Sequence, residues 1–113
     1  RDELAEAQAI EPDDVETLVR FSELHAVRKD WGRAITCLER ALEIEPRDAT
    51  AHMNLGITFL RQRPDPKRVI EHFSRYLELE PGSPQAERMR GTIREMQAEL
   101  AAGTTPAGAG SGP

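Results

Sequence analysis

The chain has 113 residues, enough for one small domain, and its aromatic content of 4% is lean for a large β-sandwich core. Its formal net charge of −5 is uneven, about −6 over residues 1–46 and +1 over residues 47–113. An acidic chain repels phosphate backbones, so general nucleic-acid binding is not expected, although the arginines of the second half could form a local basic patch. No apolar run approaches the roughly 18–20 residues that span a bilayer, which argues against membrane insertion.

Residues 1–12 open at Arg1 in a charged helical stretch without an initiating Met or a signal peptide, which predicts a fragment of a longer protein or a processed one. Leu4, Ala7 and Ile10 follow helical spacing and end at Pro12. Over residues 15–27, Val15, Leu18, Val19, Phe21, Leu24, Ala26 and Val27 wrap much of a helix, as expected of one packed on more than one side. Asp13 followed by Glu16 reads as its capping box. Asp30 is placed to cap the next helix, which opens at Trp31 and carries a one-sided stripe of Ala34, Ile35, Leu38, Ala41, Leu42 and Ile44.

The same ending then recurs. Prolines 12, 46 and 81 lie 34 and then 35 residues apart, each after a Glu and an apolar residue. Residues 34–46 align without gaps on residues 69–81, with six of thirteen pairs identical. Pro46 and Pro81 stop the helices before them, because proline disfavours the helical conformation of its predecessor. Asp65-Pro66 and Ser83-Pro84 each set a capping side chain before a proline at a first helical position. Near the end Ala86, Met89, Ile93, Met96 and Leu100 make one apolar face, backed by Arg88, Arg90, Arg94 and Glu95. From Ala102 onward the Gly-, Ala- and Pro-rich sequence has little to bury and is expected to be a disordered tail.

This 34-residue helix–turn–helix unit, closing on Ala-Leu-Glu-Ile-Glu-Pro, resembles the tetratricopeptide repeat (TPR). Phe21-Ser22 and Leu55-Gly56 fill the family's large–small pair of the first helix, and Ala34, Leu38 and Ala41 its small–large–small set of the second. Small residues allow a close helix crossing while large ones fill the space beside it. Val69 and Tyr76 depart from the pattern in the second repeat, and its turn over Gln62–Arg68 holds one extra residue, so that repeat is expected to be splayed or locally adjusted. The resemblance implies an all-α, right-handed solenoid of helical hairpins. Residues 1–12 would be the second helix of a truncated repeat, 13–46 and 47–81 full repeats, 82–101 a capping helix and 102–113 a tail.

The sequence carries little that points to chemistry. No phosphate loop, His-Glu-x-x-His or Gly-x-Ser-x-Gly motif is present, and no catalytic residue, cofactor or metal is assigned. His25 and His52 fall on core-type positions, and His72 stands opposite Cys37 in the repeat register. Two such side chains are too few for a structural zinc. The lone Cys37 excludes an intrachain disulfide and reads as a buried thiol.

The resemblance implies a non-catalytic scaffold that binds a peptide or helix along the first helices of the hairpins. The matching groove residues are Val19, Glu23, Ala26 and Val27, then Thr50, Met53, Asn54, Ile57, Leu60 and Arg61. Arg88 and Thr92 of the capping helix could join them. Val19, Met53, Ile57 and Leu60 would form an apolar strip edged by Glu23, Asn54 and Arg61, suited to docking a peptide. Chaperone-binding members hold a C-terminal carboxylate with Lys and Asn where this chain has Val19 and Glu23. Only Asn54 agrees, so no such clamp is expected. Two further readings stand beside groove binding. One is a structural module that forms homo-oligomers through its solenoid ends. The other is the TPR domain of a bacterial biogenesis or envelope-assembly factor, the thirteen arginines against two lysines fitting a high-GC source. The residues specify neither the partner protein nor a compartment.

Overall fold

The computed structural model describes residues 13–62 and 65–102. The half repeat expected over residues 1–12 and residues 103–113 of the expected tail lie outside the described residues, while Ala102, expected to begin that tail, is the last residue of the final helix. Five helices are described: α1 (Val15–Val27), α2 (Trp31–Ile44), α3 (Ala49–Gln62), α4 (Pro66–Leu79) and α5 (Ala86–Ala102). Short turns fold α1 onto α2 and α3 onto α4 as hairpins, α3 stacks on α2 and touches α1, and α5 closes against α4. The molecule measures 52 × 37 × 21 Å, and its smallest dimension corresponds to two helix diameters of about 10 Å. It is an all-α solenoid of helical hairpins, two layers thick.

Local chemistry sets the helix ends. The cap of α1 is Asp14, one residue later than the expected Asp13: its carboxylate accepts from the backbone N–H of Thr17 (3.3 Å) and from the Thr17 hydroxyl (2.6 Å). Asp13 instead pairs with Arg40 of α2 at 3.0 Å. Asp30 and Asp65 cap α2 and α4 by accepting from the N–H of Arg33 and Arg68, and Pro66 opens α4. The α1–α2 turn is closed by Asp30 N–H donating to the His25 carbonyl (2.8 Å) and Lys29 N–H to that of Ala26 (2.9 Å). These two bonds form a Schellman motif, with Lys29 left-handed at φ 61° where glycine is usual. Glu45, extended at φ −136°, and Glu80, at φ −134°, are each non-helical before a proline and end α2 and α4. Ser83-Pro84 does not open a helix. Both lie in a turn in which the Ser83 hydroxyl accepts from Gln85 N–H, and α5 starts at Ala86.

The core runs between the layers, with Leu38, Leu55 and Val69 its largest fully buried side chains, each worth about 1.5–3 kcal/mol of transfer free energy. The second hairpin is not splayed: α3 and α4 pack as extensively as α1 and α2, and Val69 and Tyr76 are buried where the first repeat has Ala34 and Ala41. Compensation lies at Gly56, where an added Cβ would overlap the Phe73 ring. Gly56 stands in the register of Ser22, and Phe73 in that of Leu38. The volume gained on the second helix is given up on the first.

Candidate functional site

Because α1 and α3 are the first helices of consecutive hairpins, they lie side by side on one layer. A concavity of about 250 Å³ opens between them. Its α1 wall is Ser22, Glu23, Ala26 and Val27, and its α3 wall is Asn54, Ile57, Thr58 and Arg61. The floor mixes apolar side chains with hydroxyls already engaged. Ser22 Oγ donates to the Val19 carbonyl (2.6 Å), and Thr58 Oγ1 donates to that of Asn54 (2.8 Å). Asn54 differs, since its Nδ2 is buried with no hydrogen-bond partner among the described residues. Glu23 and Arg61 are exposed on opposite walls, and neither enters an ion pair among the described residues.

Six of the ten residues named from the repeat register therefore line one concavity: Glu23, Ala26, Val27, Asn54, Ile57 and Arg61. The other four sit elsewhere. Val19 is 8% exposed and belongs to the core, while Met53 and Leu60 are partly buried and pack against it. Thr50 is exposed at the start of α3, and Arg88 and Thr92 of α5 do not line the concavity. Of the expected apolar strip only Ile57 faces the opening, and its apolar partners are Ala26 and Val27, the latter 80% exposed. Sequence reasoning missed Ser22 and Thr58. Ser22 fills the small packing position of the first helix, and Thr58 follows Ile57 directly on the α3 wall.

Behind α3, two histidines read separately from the sequence meet. His52 and His72 are buried with their Nδ1 atoms 3.2 Å apart, and His52 Nε2 lies 3.0 Å from the Pro46 carbonyl. A carbonyl only accepts, so His52 carries its proton on Nε2, and its bare Nδ1 accepts from Nδ1–H of His72. The His72 ring stacks on Phe59 at 6.1 Å, and the Arg68 guanidinium covers the other ring at 5.3 Å. Burial holds the His72 pKa below its ordinary value, Glu71 opposes this, and His52 and Arg68 add to the lowering. No group of three or more His, Cys, Asp or Glu among the described residues could hold a metal ion, and Cys37 is in the core. No helix among them is long and apolar enough to cross a membrane.

The geometry agrees with the comparison to known families. The family model described as a tetratricopeptide repeat matches residues 21–94, from the middle of α1 into α5. No curated protein matches the sequence.

Proposed function

Since the chain belongs to the tetratricopeptide repeat family, whose repeats generally mediate protein–protein interaction and are typically non-catalytic, we propose that it binds a peptide or helical segment of a partner protein in the concavity between α1 and α3. The observation that carries this is the convergence of Ala26, Val27 and Ile57 with Glu23, Asn54 and Arg61 around one opening. Apolar contact with a few polar groups is the composition of a peptide-binding cleft. Asn54 adds a reason for occupancy. A buried amide donor left unpaired costs about 1–3 kcal/mol, and a backbone carbonyl of a docked segment could accept from it once the side chain turns into the opening.

The test is capture from the source lysate with three proteins: wild type, Val27→Glu in the concavity, and Glu39→Arg on α2. Both substituted positions are exposed, so neither change removes core packing. A partner retained by wild type and Glu39→Arg but lost from Val27→Glu supports the concavity. A partner retained by all three refutes it.

Self-assembly has one observation in its favour, the exposure of Leu24 (59%) beside Val27 on α1. Light scattering separates the readings: a mass that rises with concentration and reverts on Leu24→Glu would favour assembly.

A further inference from the structure

We propose that the concavity selects its partner by charge order, seating an aliphatic side chain against Ala26, Val27 and Ile57 with a basic residue on the Glu23 side and an acidic residue on the Arg61 side. This inference rests on the groove function proposed above. Glu23 is the one carboxylate and Arg61 the one cation among the described residues that line the opening, and they stand on opposite walls. Elsewhere on the described helices many charges are neutralised in place, Glu16 by Arg20, Asp30 by Arg33, Glu78 by Arg75 and Glu87 by Arg90. Each of these pairs spans three or four residues of one helix.

Glu23 and Arg61 lack that relief for a reason written in the sequence. The residues three and four after Glu23 are Ala26 and Val27, and those three and four before Arg61 are Thr58 and Ile57. Arg20, one turn before Glu23, is taken by Glu16 at 3.1 Å. Three of those four positions carry the apolar side chains of the concavity, the fourth is the uncharged Thr58, and Asp65, four residues after Arg61, caps α4. A neutral apolar segment laid across the opening would strip water from both charges without replacing it. A segment with the opposite charges at its two ends satisfies them, and one with the same charges is repelled. Ala26, Val27 and Ile57 supply contact, and the two charges supply choice and orientation.

The experiment pans a displayed random-peptide library against the full chain and against Glu23→Lys, Arg61→Glu and Val27→Glu, each checked for helicity by circular dichroism. All three positions are exposed, so folding is expected to survive. Wild type should enrich peptides with a basic residue, an aliphatic residue and an acidic residue close together. Glu23→Lys should convert the basic preference to acidic, and Arg61→Glu the acidic preference to basic. A peptide selected on wild type should weaken by about two- to tenfold on either charge reversal, less at high salt. Enriched peptides that depend on Val27 but show no charge preference, or one that neither reversal alters, overturn the charge inference and leave the groove standing. Enrichment that persists on Val27→Glu, or no enrichment on wild type, overturns the groove reading and this inference together.

Discussion

At the residue scale, the contact between His52 and His72 makes stability depend on pH. The 3.2 Å Nδ1···Nδ1 bond exists only while one nitrogen of the pair is bare. His72 has a lowered pKa in the folded protein, chiefly from burial, so the unfolded chain takes up its proton first as the solution is acidified. The stability it contributes is therefore present above its ordinary pKa of about 6.5 and is lost as pH falls below that value. Thermal melts between pH 7.5 and 5.5 should show a falling midpoint, and His72→Gln, whose amide donates without titrating, should flatten the slope. Parallel curves for the two proteins would refute this. The packing of Gly56 on Phe73 gives a second expectation. Gly56→Ala should cost about 1–3 kcal/mol in urea unfolding although alanine is the better helix former. Phe73→Leu in the same chain, restoring the small–large pairing of Ser22 and Leu38, should return part of that loss. Neither contact could be read from sequence. The histidines are 20 positions apart on different helices, and their meeting depends on how the hairpin crosses.

At the element scale, boundaries were legible where one side chain decides them. Asp30, Asp65, Pro46 and Pro81 each act within a few residues of themselves, and each stops or starts its helix as expected. The reading slipped where neighbours compete. Asp13 and Asp14 are equally suited to cap, and the Thr17 hydroxyl, which bonds Asp14 at 2.6 Å, decides between them. Asp14→Ala should lower the urea midpoint more than Asp13→Ala, since the first removes a helix cap and the second only an exposed ion pair. The α1–α2 turn makes a prediction of opposite sign. Lys29 holds a left-handed conformation that burdens a side-chain-bearing residue by about 1–2 kcal/mol, offset in glycine by its greater loss of freedom on folding. Lys29→Gly should therefore stabilise the protein by roughly 0.5–1 kcal/mol in the same unfolding assay.

For the whole molecule, the 34- and 35-residue spacing carried the architecture, because a repeat that buries its apolar face only against its neighbours must stack. The repeat register also indicated which helices flank the concavity, and six of ten named residues line it. It did not separate surface from core along those helices. Val19, Met53 and Leu60 share the periodicity of Ile57, yet Val19 is buried in the core, and Met53 and Leu60, partly buried like Ile57, do not line the concavity. The direct test of the central claim is amide chemical-shift mapping of the 113-residue chain titrated with a library-selected peptide. Binding between α1 and α3 predicts shifts concentrated over residues 22–27 and 54–61. Shifts concentrated instead on the outer layer, around Glu39 of α2 and Glu71 or Glu78 of α4, would contradict the account.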